Sequence, residues 1–265
     1  MFKPMDFKNI IYTKEKSIAR MTINRPEIRN ALNRATRLEM AEALEDTTND
    51  ESVKVLILTG AGGKAFVSGS DLNELSKFNA LEMERFTDTL GQKFYTRFEN
   101  LHKPVIAMID GLCLGGGLEL AMACDMRIAS ESSRFGAPEM FIGVMPGSGG
   151  TQRLTRLVGV GRAKELIYTG DMIDATEAFR IGLVNHVYPK EDLEKEVMDL
   201  AGRMAKNSSL ALKWAKKSIN MGQETGLTAG LAYEALAEAL LFTGRDREEG
   251  MKAFFEKRKP EFKGE

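Results

Sequence analysis

Near the start of the chain Ala19, Met21 and Ile23 interleave with Arg20, Thr22 and Asn24, a period of two that predicts a strand with one buried face. The period then lengthens. Between Asn30 and Thr47 the residues Met40, Ala43, Leu44 and Thr47 share one stripe, which predicts an amphipathic helix. Continuous apolar runs at Val53 to Leu58 and Pro104 to Ile109 predict buried strands, and Arg127 to Ala129 and Leu183 to Val187 predict two more. Helical stretches separate these runs, so the order argues for an α/β core. From about Asp192 onward strand signals stop, and helices are expected at Leu193 to Lys206, Ser209 to Met221, Leu227 to Phe242 and Arg247 to Lys257. The pattern divides the chain into a core over residues 1–191 and a helical appendage over 192–265.

Two strand-to-helix junctions in the predicted core are rich in glycine. Gly115-Gly116-Gly117-Leu118-Glu119 follows the strand Pro104 to Ile109 and opens an apolar run of good helix formers from Leu118 to Cys124. Lys64-Ala65-Phe66-Val67-Ser68-Gly69-Ser70-Asp71-Leu72 follows the turn Gly60 to Gly63 and precedes a helical run from Leu72 to Phe78. Glycine leaves backbone N–H groups open to close approach, so each junction could aim one donor at a single oxygen and stabilise an enolate or tetrahedral oxyanion. The Ser70 hydroxyl is read as a cap for the helix from Leu72.

Glu119 in the first junction and Glu139 in Phe135-Gly136-Ala137-Pro138-Glu139 add two carboxylates, which suits acid–base chemistry. Each glutamate alone is also what a first helical turn favours. A carboxyl acting as an acid near neutral pH must be raised from about 4.3 by burial or by a like charge. Leu118, Leu120, Met140, Phe141 and Ile142 are the candidates for the apolar wall that would do this.

Composition narrows the field. In 265 residues, 43% hydrophobic and 28% charged, a substantial core can form. With 37 Lys and Arg against 38 Asp and Glu, the net charge of −1 gives no global field for nucleic acid. The basic runs Lys213, Lys216, Lys217 and Lys252, Lys257, Arg258, Lys259 are read as solvated helix faces. Met1 to Asp6 carries no apolar signal core and no run of about 18 apolar residues occurs, so a cytoplasmic protein is expected.

Cys113 and Cys124, both in apolar context, are read as buried thiols, and His102 and His186 as surface or loop residues; no metal site is expected. Lys64 is followed by Ala65 rather than the Lys-Ser/Thr pair of a phosphate loop, and Pro146 stands where a serine-hydrolase elbow needs glycine.

The strings KAFVSGSDL, KPVIAMIDGLCLGGGLELAMACD, FGAPEMFIGVMPGSGGTQRL and EGMKAFFEKRKPEF resemble the enoyl-CoA hydratase (crotonase) family, in order and with family-like spacing from about Ser17 to the C-terminus. The resemblance implies an α/β spiral of repeated β-β-α units with a C-terminal helical region that builds trimers, often paired into hexamers. It implies that the N–H groups of Ser70 and Gly116 form an oxyanion hole around an acyl-CoA thioester. Glu139 would then exchange a proton with the α-carbon while Glu119 activates the water that adds to the β-carbon. Ser68, Asp71, Leu72, Asn73, Phe254 and Lys257 fall at substrate- or CoA-contacting positions. No separate cofactor is implied, because coenzyme A enters with the substrate.

Relatives that shift double bonds commonly keep only the carboxylate matching Glu139, and dienoyl-CoA isomerases carry an aspartate where this chain has Gly147. Both glutamates here favour reversible hydration of a trans-2-enoyl-CoA. Hydration of a branched, cyclic dienoyl or otherwise specialised thioester, isomerisation, and a non-catalytic or RNA-binding role stay open. Many relatives have alanine beside the first oxyanion glycine, whereas Ser68 and Ser70 flank Gly69, which suggests a small or polar acyl group.

Overall fold

The computed structural model describes residues 6–265. Met1 to Met5, most of the segment read above for a signal core, lie outside the described residues. Among the described residues ten strands form two sheets: β1 (Ile10–Glu15), β2 (Ile18–Ile23), β3 (Val55–Gly60), β4 (Ala65–Val67), β5 (Val105–Ile109), β6 (Leu112–Leu114), β7 (Met126–Ser130), β8 (Arg134–Gly136), β9 (Ile173–Asp174) and β10 (His186–Tyr188). The larger sheet has the order β1-β2-β3-β5-β7-β10 and the smaller β4-β6-β8-β9. All pairings from β2 to β10 in the larger sheet are parallel, and β1 alone is antiparallel.

The two sheets are threaded alternately. Three times the chain runs up a strand of the larger sheet, crosses to a parallel strand of the smaller one, and turns into a helix: β3 to β4, β5 to β6, β7 to β8. This alternation is the β-β-α repeat that the family resemblance leads one to expect. The second sheet was the harder part to foresee, because three-residue strands such as β4 and β6 leave no room for a period to show.

The core follows from this threading. Met21, Ile23, Leu56, Leu58, Phe66, Val67, Ala107, Ile109, Cys113 and Phe135 form one buried cluster between the sheets and the helices. Ile57, Ile106, Met108 and Ile128 point to the other face of the larger sheet, where Leu193, Val197 and Ala201 of the helix Lys190–Met204 cover them. Strands buried on both faces therefore lack polar alternation, as their apolar runs indicate. The helix Arg34–Asn49 is capped by the Asn33 side chain, which accepts from Thr36 N.

Helices Ser209–Glu224, Leu227–Leu241 and Arg245–Phe255 complete the chain. Leu227 and Leu231 are 79% and 54% exposed, so the stripe they head is not packed into the chain's own core. Lys216 departs from its reading as a solvated residue. Its ammonium is buried, pairs with Asp125 at 2.8 Å and donates to the carbonyls of Phe98 and Lys103. Cys113 and Cys124 are buried free thiols.

Gly117 sets how closely the helix Gly116–Met122 packs on β4: a β-carbon there would overlap the Val67 carbonyl and stand 2.6 Å from Val67 Cβ. Gly117→Ala is expected to destabilise the protein by about 1–3 kcal/mol through overpacking. Gly161→Ala, in a helix with open space at that position, is expected to stabilise by about 0.5–1 kcal/mol. Urea unfolding midpoints check both, and equal midpoints would contradict the packing argument.

Candidate active site

β4, β6 and β8 lie side by side and parallel, with Val67 paired to Cys113 and Cys113 to Phe135. Their C-terminal ends therefore open along one edge, where parallel α/β sheets commonly bind ligands. Ser70, Gly116 and Glu139 each follow one of these ends within three residues. The register of the small sheet brings together residues that sequence separates widely.

The two candidate donors are neighbours. A β-carbon at Gly116 would stand 3.4 Å from Ser70 N, and one at Gly69 would stand 3.9 Å from Gly116 N. Leu32 N donates to Gly69 O and Asp71 N to Leu32 O, both at 2.9 Å, so this bridge engages the groups on either side of Ser70 N. Gly116 opens its helix, a position whose N–H has no intrahelical acceptor. Neither N–H is donated to an acceptor among the described residues.

Gly115 explains how a carboxyl reaches this edge. Its φ of 50° and ψ of −124° suit only glycine, and a β-carbon there would stand 3.1 Å from Oε1 of Glu139. Glu139 itself sits in the short 3₁₀ turn Pro138–Ile142 that follows β8. The Glu139 carboxyl thus lies against the turn that carries the Gly116 amide.

Glu119, only 4% exposed, is anchored by a different loop. Its Oε1 accepts from Ser148 N at 2.7 Å and Gly150 N at 2.8 Å. The loop supplying these donors is braced in turn. Arg153 donates to Ser148 O at 2.9 Å while gripping both oxygens of Glu99 at 2.6 and 2.7 Å, and Gln92 donates to Gly147 O at 3.0 Å.

Environment separates the roles of the two acids. Burial holds Glu119 above the ordinary carboxylate range, and the amides of Gly150 and Ser148 and the charges of Arg37 and Arg153 offset that push only in part. Glu139 is pushed up to about 7, first by burial and then by the charge of Glu119. Its Oε2 is buried with no hydrogen-bond partner among the described residues. Two amide donors make Glu119 the better seat for negative charge, and their lack makes Glu139 the better seat for a proton.

Several expectations change. The Ser70 hydroxyl does not cap the helix Leu72–Leu75; Asp71 does, accepting from Asn73 N at 3.1 Å. Ser70 Oγ instead accepts from Arg37 Nη2 at 2.8 Å, so this hydroxyl is already engaged inside the protein. Met140, Phe141 and Ile142 are 38%, 70% and 55% exposed and do not wall the glutamates within the chain, whereas Leu118 and Leu120 are buried.

Ser68 and Asp71 flank the Ser70 turn and are tied into it, Ser68 N donating to Arg29 O at 3.1 Å and Asp71 pairing with Arg25 at 3.3 Å. Leu72 and Asn73 are exposed beside them. Phe254 and Lys257 lie exposed at the end of the C-terminal helix, and no hydrogen bond or ion pair among the described residues ties them to the glutamates.

Sequence reading missed the Ser148 to Gly150 clamp, although a glycine-rich loop opening a helix was a signal for free amides. It also missed Arg37. That residue falls on the stripe of Met40 and Leu44, and a charge on a buried stripe is a signal in its own right.

A profile described as Enoyl-CoA hydratase/isomerase matches residues 13–265. This chain belongs to that family. It is 48% identical to a crotonyl-CoA hydratase of Syntrophomonas wolfei over 258 residues, covering 97% of this chain and 99% of the relative. It is 46% identical to a short-chain-enoyl-CoA hydratase of Clostridium acetobutylicum, covering 97% and 98%. The crystal structure of an enoyl-CoA hydratase from Bacillus anthracis superposes with a TM-score of 0.94 at 41% identity, covering 97% of this chain and all of that one. The crotonase fold of this family member is thus shared along nearly its full length.

Infrared difference spectra of wild type against Glu139→Gln are expected to show a protonated-carboxyl stretch that disappears with a midpoint near about 7. In Glu119→Gln the midpoint should fall, because removing a neighbouring negative charge favours ionisation. A midpoint at the ordinary glutamate value in wild type would contradict the assignment.

Proposed function

We propose that this family member is an enoyl-CoA hydratase that reversibly adds water to a short trans-2-enoyl-CoA. The carrying observation is the pairing of an anchored glutamate with a second, proton-holding one beside two adjacent free amides. In the proposed reaction the amides of Ser70 and Gly116 donate to the thioester oxygen as charge gathers on it. Glu119 accepts a proton from water while the water oxygen bonds to the β-carbon. Glu139 gives its proton to the α-carbon, and the enolate returns to a thioester. The pair starts and ends with one proton, so the same singly protonated form serves hydration and dehydration.

The physical need for this arrangement is plain. A thioester enolate is too basic to form freely in water, and donors fixed in advance stabilise it as charge moves onto oxygen. Because Glu119 is retained and held by two amides, hydration is preferred over isomerisation, which needs only one proton-carrying group. The names of the Syntrophomonas and Clostridium relatives support a short acyl chain.

The proposal takes Ser68, Asp71, Leu72, Asn73, Phe254 and Lys257 as contacts to substrate or coenzyme A, with no separate cofactor and no metal. It assigns assembly to the helical region 192–265, giving a homotrimer or a hexamer of paired trimers. The exposed Leu227, Leu231, Leu236 and Leu240 support this, since a single soluble subunit rarely leaves such a surface open. A cytoplasmic setting is part of the same reading. Among the described residues no helix is long and apolar enough to cross a membrane.

Purified protein with crotonyl-CoA should lose the conjugated thioester absorbance, and Glu119→Gln and Glu139→Gln should each lower kcat by about 10²–10⁴. The profile of kcat/KM against pH should be bell-shaped, its alkaline limb falling near about 7 as Glu139 loses its proton. Full activity in either glutamine variant would overturn the mechanism. Sedimentation should give three or six times the 29.4 kDa chain mass, and a monomer would refute the assembly assignment.

A further inference from the structure

Arg37 is fully buried in the helix Arg34–Asn49 and has no carboxylate within ion-pair reach among the described residues. An unpaired buried cation is costly to keep unless its hydrogen bonds are organised. Here they are directed at the active-site edge. Nη2 donates to Ser70 Oγ at 2.8 Å and Nη1 to Leu90 O at 2.7 Å, while Nε is buried without a partner among the described residues. The guanidinium lies over the rings of Phe86 and Tyr95, 5.1 Å from each centroid. Tyr95, also fully buried, donates its hydroxyl to Gly116 O at 2.9 Å.

One cation–aromatic unit therefore touches both turns that carry the candidate oxyanion donors. It grips the Ser70 turn through a hydroxyl and the Gly116 turn through a stacked tyrosine. Leu90, which anchors the guanidinium, lies in the π-helical segment Thr87–Lys93. The same segment holds the glutamate clamp through Gln92, which donates to Gly147 O. Wide helical turns of this kind are often found at functional sites.

We propose that Arg37 is the positioning residue of the oxyanion site: with Tyr95 it fixes the separation of the Ser70 and Gly116 amides and places a buried positive charge behind them. This inference rests on the hydratase reading and adds to it. Arg37 does not touch the substrate; it acts through Ser70 and Tyr95. Donors held rigidly at the transition-state oxygen lower the barrier more than they tighten ground-state binding, so the effect belongs in kcat.

The test uses crotonyl-CoA turnover together with 4-dimethylaminocinnamoyl-CoA, a push–pull thioester whose absorption band moves to the red as its carbonyl is polarised. In Arg37→Leu, kcat should fall roughly tenfold or more with KM changed less than about twofold, and the red shift of the bound probe should shrink. Arg37→Lys, which keeps the charge without the fork, should restore part of both. Adding Ser70→Ala to Arg37→Leu should cost little more, because the two residues act as one unit.

A folded Arg37→Leu with wild-type kcat and band position would overturn the inference, and so would fully additive losses in the double variant. Should Arg37→Leu fail to fold, Ser70→Ala and Tyr95→Phe each remove a single oxygen and are read by the same band. A smaller red shift in both supports the inference, and no change in either overturns it. A wild-type protein that neither hydrates crotonyl-CoA nor shifts the probe would remove the hydratase reading and this inference together.

Discussion

The site depends on the parallel register of three short strands. β4, β6 and β8 contribute three residues each, yet their pairing brings the turns after Val67, Leu114 and Gly136 to one edge. Gly117 permits the helix after β6 to pack against β4, and Gly115 permits the chain to turn with the Glu139 carboxyl alongside. If that register slipped by one residue, the side chains of a strand would change faces and the two amides would part company.

Electrostatics then divides labour between two chemically identical acids. Glu119 accepts from two amides at Oε1 and faces the charges of Arg37 and Arg153, which oppose the upward push of its burial; Glu139 has no partner for Oε2 among the described residues and is pushed up to about 7. This division has a cost in stability. A carboxyl whose folded pKa is raised is more easily ionised in the unfolded chain, so the folded state loses ground as pH rises from the ordinary glutamate range through about 7. The buried Arg37, with no carboxylate within ion-pair reach among the described residues, is a second concession of the same kind. Both concessions cluster where charge would move during the proposed reaction.

Much of the fold was legible in the sequence because its larger elements bury continuous apolar surface. The strands Val55–Gly60 and Val105–Ile109 and the C-terminal helices stand within a few residues of their expected places. The two glycine-rich junctions were legible as turns with open amides, whereas the choice of Ser70, Gly116, Glu119 and Glu139 within and beside them came from the family resemblance, since each glutamate alone also suits a first helical turn. The short strands of the second sheet were not legible, since their pairing is non-local and three residues carry no period. Nor was the partner of Ser70 Oγ, because local chemistry suggested a helix cap while tertiary structure supplied a guanidinium 33 positions away in sequence. Lys216 repeats the lesson: a lysine in a basic run reads as solvated until a half-buried aspartate meets it.

In the proposed reaction two main-chain amides and two glutamates converge on one thioester. A crystal structure of the assembled protein with a bound, unreactive acyl-CoA tests it most directly. The thioester oxygen is expected about 2.7–3.1 Å from both Ser70 N and Gly116 N, with the Glu119 and Glu139 carboxyls beside the adjacent carbons. A thioester bound away from either amide, or with one glutamate remote from those carbons, would contradict it.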